Sequence, residues 1–238
     1  MNKDQFFKWL KRMPGFLLVF AIMVGCGGAD CSENNLDDSG RVSIKAINIS
    51  GGAAEHLDFF ANGTKIADNI GWHASGPWAS ATAGGVTMTS RLHTSGTTAA
   101  TRMFDMFSGR RYWVMAYDGL PTLRLMMTEV HMPSAAKATL VVMNGDHLRG
   151  SLDIHVTSGP PPTAGSIKLK MLGPGDSYPT SMSGMDLASG TYIVYGVKEG
   201  TLDVVWSLTV TLAAGGVYLA APVSEGAVPY DPDLIKIE

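Results

Sequence analysis

Apolar and polar residues alternate in short segments of the chain from Arg41 onward. In "RVSIKAINI" the apolar residues Val42, Ile44 and Ala46 lie on one face of an extended strand, and in 206–212 Trp, Leu, Val and Leu alternate with Ser and Thr. This period of two is typical of a half-buried β-strand, and no stretch keeps the apolar period of 3.6 that indicates a helix. The pattern therefore predicts an all-β fold of short, antiparallel strands.

The segment "LDFFANGTKI", Leu57 to Ile66, contains the clearest turn signal. Asn62 and Gly63 separate two strand-like runs, and Asn-Gly readily adopts the two positive φ angles that a type I′ turn requires. We therefore predict a tight β-hairpin here. The segment from Ala188 to Val223 is long enough for three further strands.

The β pattern occurs twice. The segment that begins at Arg41 aligns with the one that begins at Lys137, and "FSGRRYWVMAY" aligns with "LAAGGVYLAAP". The aligned pairs are Leu57-Asp58 with Leu152-Asp153, Gly63 with Gly159, Gly109 with Gly215, and Tyr112 with Tyr218. The offset grows from about 95 to about 106 residues, so the second copy has the longer loops. We place the boundary between the copies near Pro133.

A different pattern precedes the β region. Lys3, Lys8, Lys11 and Arg12, against Asp4 alone, make a basic leader, which is followed by an apolar run from 16 to 24. This run is shorter than the roughly 20 residues that cross a bilayer as a helix, and it has the proportions of a secretory signal peptide.

The end of this leader resembles the lipobox of bacterial lipoproteins: Met23, Val24 and Gly25 lead into Cys26. A thiolate is a strong nucleophile, so Cys26 is suited to accept a diacylglyceryl group before cleavage of the preceding bond. Met23 departs from the usual Leu but remains unbranched and apolar. The alternatives are an ordinary cleaved signal peptide with a disulfide between Cys26 and Cys31, or an uncleaved anchor; no further cysteines complete a zinc site.

Lipidation would attach the protein stably to a membrane, because each buried methylene contributes about 0.8 kcal/mol. Gly27 replaces the Asp that retains lipoproteins in the inner membrane, so the resemblance implies the outer membrane of a two-membrane host, with the protein facing the periplasm or the cell surface. Residues 26–40, "CGGADCSENNLDDSG", are expected to form a disordered tether that spans roughly 20 Å. Cys31 would then be a single thiol, with a mixed disulfide or a dimer bond as the alternative.

The charge balance narrows the range of partners. The full chain has 18 basic and 21 acidic residues, a net charge of −3, and loss of the leader would make the net charge about −6. Nucleic-acid binding requires a basic face, so we expect no nucleic-acid partner.

The order of "RVSIKAIN", "LDFFANGTKIADNI", "GRRYWVMAYDG" and a second start at "KATLVVMN" resembles tandem members of domain of unknown function family 4397, found in bacterial envelope and secreted proteins. The resemblance implies two tandem immunoglobulin-like or transthyretin-like β-sandwiches and no known catalytic residues. The expected organisation is a lipoprotein signal peptide (1–25), a lipidated tether (26–40), a first sandwich (41–132), a second sandwich (133–226) and a C-terminal tail (227–238).

Motifs for chemistry are absent from the sequence. The six histidines form no HxH, HxxxH or HExxH spacing, and no GxSxG elbow occurs. Met182 and Met185 in "SMSGM" could bind Cu(I), but most methionines lie in strand-like runs and are better interpreted as core residues. We therefore expect no catalytic residue, no metal and no cofactor.

The loop "NIGWHASGPW" is the candidate ligand-binding segment, since Trp72, His73 and Trp78 could form an aromatic platform; buried tryptophans that plug a loop are the alternative. Arg110-Arg111 is interpreted as a solvated turn that could also contact an acidic partner.

The sequence favours a membrane-anchored lipoprotein with a non-catalytic binding or scaffolding role toward an envelope protein, glycan or peptidoglycan. The alternative is an enzyme or accessory subunit with a site between the two β units.

Overall fold

The computed structural model describes residues 40–50, 56–145, 150–162, 170–173, 177–178, 185–225 and 228–236, and the regular structure in these residues is entirely β-strand. The strands are β1 (Arg41–Asn48), β2 (Leu57–Ala61), β3 (Thr64–Ile70), β4 (Ala74–Thr82), β5 (Gly84–Leu92), β6 (Thr98–Met106), β7 (Arg111–Tyr117), β8 (Arg124–Glu129), β9 (Lys137–Met143), β10 (Leu152–Thr157), β11 (Lys170–Leu172), β12 (Ser177–Tyr178), β13 (Met185–Ala188), β14 (Gly190–Lys198), β15 (Val204–Leu212), β16 (Val217–Glu225) and β17 (Val228–Lys236).

The first eight strands form one β-sandwich. Sheet A has the order β4-β1-β7-β8, and sheet B has the order β3-β2-β5-β6. The two sheets enclose a core of inward-facing side chains, as alternation along each strand requires. Its members include Ile44, Leu57, Phe59, Met88, Phe104, Met106, Tyr112 and Leu125.

The remaining strands form a second sandwich with the same plan. Sheet C has the order β12-β9-β16-β17, with β13 also paired to β9, and sheet D has the order β11-β10-β14-β15. The core between them includes Leu140, Leu152, Ile154, Val194, Trp206 and Val210. The predicted all-β fold of two sandwiches is confirmed.

The strand pairing is mostly antiparallel, with one parallel pair in each sandwich. In the first sandwich β1 pairs with β7 in parallel, and in the second β9 pairs with β16 in parallel. The predicted antiparallel pairing thus holds for the other described strand pairs, and these two pairs are the exceptions. The reason is topological: the chain leaves β1, contributes strands to both sheets and returns to sheet A beside β1 in the same direction.

Aligned positions of the two copies make the same hydrogen bonds. The Tyr112 hydroxyl accepts a bond from the Phe107 backbone N–H at 2.9 Å, and the Tyr218 hydroxyl accepts one from the Ala213 N–H at 2.9 Å. Gly109, at φ 75°, precedes the first of these tyrosines, and its repeat partner Gly215 has φ 77°. The internal similarity seen in the sequence therefore corresponds to a repeated turn geometry.

The C-terminal segment is part of the second sandwich. We expected 227–238 to be a tail outside it, but Val228–Lys236 form β17, which pairs antiparallel with β16. This pairing repeats that of β8 with β7. The prediction was wrong because the alignment of the repeats stopped before their last strand, where "VPYDPDLIK" carries two prolines that weaken a strand signal.

The turn between β2 and β3 has the predicted geometry. Asn62 has φ 48° and Gly63 has φ 81°, so both central residues are in the left-handed region. The Asn62 side chain also accepts a hydrogen bond from the Thr87 N–H at 2.8 Å, which ties the turn to β5. The predicted two-residue hairpin is confirmed.

A third apolar core lies between sheets A and C. It buries the outer faces of the two sheets against each other, so that four sheets stack in one unit spanning Leu36–Glu238. Its members include Ile47, Trp113, Met115, Tyr117, Val141, Met143, Val217 and Leu219. The six residues Tyr112 to Tyr117 are all buried, because both faces of β7 are covered.

Alternating burial along a strand is seen where one face of the sheet is exposed, and it is lost in β7, where both faces are covered. In β15, Trp206, Val210 and Leu212 are buried, whereas Ser207 and Thr209 are exposed. In β1 the expected residues face the first core, but Lys45 and Ile47 on the opposite face are buried too. β1 is buried on both faces because sheet C packs against the outer face of sheet A, whereas one face of β15 remains exposed.

Several predicted features lie outside the described residues: the leader, Cys26, Cys31, almost all of the tether and Met182. Met185, the other methionine of "SMSGM", is buried in the second core. Within the described part of the chain, no helix has the length and apolar character needed to cross a membrane.

Candidate functional site

Trp78 lies within cation–π distance of two cationic side chains on the outer face of sheet A. Its position in β4 is directly opposite Lys45 in β1. The Lys45 Nζ is 5.5 Å from the centre of the indole ring, and the Arg111 Cζ, from the first residue of β7, is 5.7 Å from it. At these distances the negative face of the indole attracts both cations. The structure therefore places two positive charges beside one aromatic ring.

The strand register extends this group along the sheet. Ser43 lies opposite Ser80 in β4 and beside Arg111 in β7, and Arg41 lies opposite Thr82. Residues in register on neighbouring strands share a face. We call this set the β4 patch: Arg41, Ser43, Lys45, Trp78, Ser80 and Arg111.

The patch borders the third core. Lys45 is in register with Trp113, which is fully buried between sheets A and C. Trp78 itself packs partly against that core and remains half-exposed. The patch is therefore the part of the outer face of sheet A where the packing of sheet C ends.

The predicted platform residues Trp72 and His73 occupy the turn before β4. Their ring centres are 3.7 Å apart, and both side chains are half-buried, with Trp72 packed against the third core. The Trp72 Nε1 is buried and has no hydrogen-bond partner among the described residues. Trp72 therefore resembles a buried loop plug more than an open platform, whereas Trp78 contributes to the β4 patch.

The backbone holds this turn against β1. The His73 N–H donates to the Asn48 carbonyl at 2.8 Å, and the Asn48 side-chain amide donates to the Ile70 carbonyl at 3.1 Å. His73 and Asn69 both have positive φ, 54° and 56°. For residues other than glycine this conformation is uncommon and is retained only when surrounding contacts enforce it. The position of β4 relative to β1 is therefore well defined.

Among the residues that the structure describes, the two arginines of the patch have no carboxylate partner. Arg41 donates from Nε to the Ser80 hydroxyl at 2.6 Å and from Nη2 to the Ser80 carbonyl at 3.4 Å, which engages two of the five guanidinium N–H groups. In the described ranges no carboxylate lies within ion-pair distance of Arg41 or Arg111. By contrast, Arg110 pairs with Glu129 at 2.8 Å. Among the described residues, Arg41 and Arg111 therefore differ from Arg110 in having no acidic partner.

A small cleft opens at the edge of the patch. It has a volume of about 250 Å³ and lies between the β2–β3 hairpin of sheet B and the end of β4 in sheet A. Its lining is mainly polar and includes a guanidinium, an amide and several hydroxyls: Arg41, Ala61, Asn62, Thr64, Ile66, Ser80, Ala81 and Thr82. Arg41 and Ser80 thus belong to both the patch and the cleft.

A separate polar cluster on sheet B surrounds Asp58 in β2. One carboxylate oxygen accepts bonds from the Asn69 N–H and from His93 Nδ1, both at 2.8 Å, and the other accepts one from Lys65 Nζ at 2.7 Å. Burial raises the pKa of Asp58, but the hydrogen bonds from Lys65, Asn69 and His93 outweigh it and hold the pKa well below its ordinary value. Asp58 is therefore a buried carboxylate that stays ionised in the folded protein.

This cluster contains three groups of the type that bind metals. Ligand atoms of Asp58, Asp68 and His93 lie within 4.8 Å of one another. Lys65 already donates to both carboxylates, at 2.7 Å and 2.5 Å. Because the lysine ammonium supplies the positive charge that two carboxylates need, the arrangement is an internal ion-pair network rather than a cation site.

Another pair lies near the connection between the sandwiches. His131, which follows β8, contacts the Asp186 carboxylate at 2.9 Å through Nε2, and the Thr139 hydroxyl donates to the same oxygen at 2.9 Å. Burial raises the pKa of Asp186, and the bonds from His131 and Thr139 lower it by more. The contact joins the connecting segment to β13 of the second sandwich.

Sequence reasoning missed the Asp58 network and the role of Arg41. Asp58 and Asp153 are both buried acids inside apolar strands, at aligned positions of the repeat, and that was an available signal. Arg41 begins a strand and has no distinguishing motif. It becomes part of a site only because β1, β4 and β7 lie side by side.

Comparisons with known proteins add little to this geometry. No family model matches the chain, and no curated protein matches it. One solved structure, a leucine-rich repeat protein from Bacteroides thetaiotaomicron VPI-5482, aligns with a TM-score of 0.18 and 12% sequence identity, over 77% of this chain and 26% of that one. A similarity at this level carries no argument about fold or function.

Proposed function

We propose that this protein is a non-catalytic binding protein of the bacterial cell envelope, held at a membrane by lipid on Cys26, and that it contacts its ligand through the β4 patch. The observation that carries the binding role is the set of cations around Trp78, with Arg41 and Arg111 lacking carboxylate partners among the described residues. Arginine and tryptophan are enriched at the energetic centres of interfaces. The resemblance of the Met23–Cys26 segment to a lipobox supports the lipid anchor.

The geometry of the patch favours binding over a merely solvated surface. Lys45 is only 8% exposed, so its stem is packed while its charge lies beside Trp78. Arg111 is the first residue of a strand whose next six residues are buried. A packed stem such as that of Lys45 loses less conformational entropy when a ligand binds, and the backbone of Arg111 is set by the buried strand that follows it.

Several acidic side chains outside the patch already form hydrogen bonds or ion pairs within the protein, which supports a non-catalytic role. Asp58 and Asp186 each accept several hydrogen bonds from neighbouring side chains, and Glu129 pairs with Arg110. The alternative, an enzyme with a site between the two β units, would need an open space between sheets A and C. The third core fills that space with apolar side chains in the described part of the chain.

The anchor is tested by replacing Cys26 with serine in cells supplied with radioactive palmitate. We expect the unmodified protein and a Cys31→Ser variant to be labelled and processed, and Cys26→Ser to remain an unlabelled precursor, since a hydroxyl is a much weaker nucleophile than a thiolate. Equal labelling of the Cys26→Ser and Cys31→Ser variants would contradict the lipid anchor.

The binding role is tested with the full-length protein in liposomes of neutral lipid. These are incubated separately with purified peptidoglycan, envelope polysaccharide and detergent-solubilised envelope proteins, and the bound material is quantified. We expect one fraction to bind and the Arg111→Gln variant to bind it at least about tenfold more weakly, because a hydrogen bond to a charged group contributes roughly 1.5–3 kcal/mol.

Lys198→Gln provides the matched control, since it removes one exposed positive charge from β14, outside the patch. This variant should bind like the unmodified protein. Equal losses for the Lys198→Gln and Arg111→Gln variants would indicate a general charge effect, and absence of binding to all three fractions would exclude the proposed function.

A further inference from the structure

The cleft beside the β4 patch combines a guanidinium with groups that match sugar hydroxyls. Arg41 lies at one side, and Asn62 and Thr64 come from the β2–β3 hairpin opposite. Ser80 and Thr82 of β4 add further hydroxyls. A hydroxyl can both donate and accept, and the Asn62 amide, whose oxygen already accepts from the Thr87 N–H, has two N–H groups to donate. Such a lining is suited to a ligand with many hydroxyl groups and one anionic group.

Arg41 is positioned to bind the anionic group. Ser80 engages Nε and one N–H of Nη2, which holds the guanidinium in place and leaves three N–H groups. A planar guanidinium binds a carboxylate through two parallel hydrogen bonds. The described residues place no carboxylate of the protein within ion-pair distance of Arg41. This donor is therefore available to a ligand.

The size and the remaining walls of the cleft limit the ligand. About 250 Å³ is below the roughly 300–1,000 Å³ of typical sites for drug-sized ligands, so the cleft suits a single small ring. Ile66 contributes an apolar wall between the polar groups. The C–H faces of a sugar ring can contact such a wall, while the hydroxyls at the ring edge contact the polar lining.

From these features we propose that the cleft binds a carboxylate-bearing sugar, with Arg41 on the carboxylate and Asn62, Thr64 and Thr82 on the hydroxyls. The inference rests on the proposed binding function and specifies its ligand as an acidic envelope glycan. The β4 patch continues from Ser80 through Ser43 to Arg111 along the same face, so a second acidic residue of such a chain would meet the Arg111 guanidinium.

The test is a titration of the full-length protein with defined small ligands, followed by NMR of the side-chain and backbone amides. D-glucuronate is the probe; D-glucose lacks the carboxylate, and succinate lacks the sugar ring. We expect glucuronate to shift the Asn62 side-chain amide and to bind at least about tenfold more tightly than either control, since each lacks interactions with groups that the cleft holds ready.

Variants assign the effect to Arg41. Arg41→Gln should weaken glucuronate binding by about tenfold or more, and Arg41→Lys should fall between the two, because lysine keeps the charge and loses the planar pair of donors. Lys198→Gln should bind like the unmodified protein. Circular dichroism and thermal unfolding of each variant should be unchanged, since Arg41 is exposed.

Three results would overturn the assignment: glucose binding as tightly as glucuronate, succinate binding as tightly as glucuronate, or an Arg41→Gln variant with unchanged affinity. The proposed function is tested separately. If glucuronate fails to bind while Arg111→Gln still lowers binding to an envelope fraction, only the sugar assignment is wrong. If the envelope fractions also fail to bind, both proposals are wrong.

Discussion

Replacing Trp113 with alanine is expected to lower the free energy of unfolding by about 3–5 kcal/mol, as is usual when a large aromatic side chain is removed from a core. Trp113 is fully buried in β7 and belongs to the third core between sheets A and C. Its Nε1 has no hydrogen-bond partner among the described residues, so its contribution comes from packing. Trp113→Phe retains most of the apolar area and should cost less.

The same substitution should also weaken the coupling between the sandwiches. We expect the unmodified protein to unfold in one calorimetric transition, because the third core makes the two sandwiches stabilise each other. In Trp113→Ala we expect the transition to broaden or to split into two.

The matched control is Leu212→Ala, which removes a buried side chain from the core within the second sandwich. It should cost about 2–5 kcal/mol without separating the transitions. A loss of less than about 1 kcal/mol in Trp113→Ala, with one sharp transition, would contradict the role assigned to the third core.

Asp58→Asn is expected to lower the free energy of unfolding by about 1.5–3 kcal/mol at neutral pH, the usual range for hydrogen bonds to charged groups. The carboxylate accepts bonds from Lys65, His93 and the Asn69 N–H, and its side chain is 11% exposed. An asparagine can keep the backbone bond but loses the charge that pairs with Lys65. Urea unfolding at pH 7 measures the loss.

The pH dependence gives this prediction a second readout. The folded-state pKa of Asp58 lies below its ordinary value of about 3.9. The ionised carboxylate therefore stabilises the fold above about pH 4, and this contribution is lost as the pH falls from there through the folded-state pKa. Below about pH 4, stability should decrease more steeply in the unmodified protein than in Asp58→Asn.

Asp105→Asn is the control for this experiment, since Asp105 is exposed in β6 of the same sheet. It should change neither the stability at pH 7 nor the acid dependence by more than about 0.5 kcal/mol. Parallel acid profiles for the unmodified protein and Asp58→Asn would show that the network does not stabilise the fold.

The candidate site shows which contacts a local sequence pattern can predict and which it cannot. Because Trp72, His73 and Trp78 are close in sequence, the sequence predicts that they form one aromatic loop. In the structure Trp72 lies in a turn and packs against the third core, whereas Trp78 lies in β4 and contacts Lys45 and Arg111. Neither cation could be assigned to Trp78 from the sequence, since Lys45 is 33 and Arg111 is 33 positions away.

The sequence by itself determined the features that depend on neighbouring residues. Alternation predicted that strands bury one face, Asn62-Gly63 predicted the hairpin, and the two aligned segments predicted that one sandwich follows another. These are local properties, because successive side chains of a strand point to opposite faces and a turn is set by the φ angles of its own residues.

Only the tertiary structure determined which strands are buried on both faces. Burial of both faces of β7 and β9, the addition of β17 to sheet C and the position of the β4 patch all depend on how sheets A and C stack. A period of two shows that one face is apolar but does not identify what packs on the other face. That choice is made by contacts between segments about 100 residues apart, where the apolar area of one sandwich meets that of its repeat.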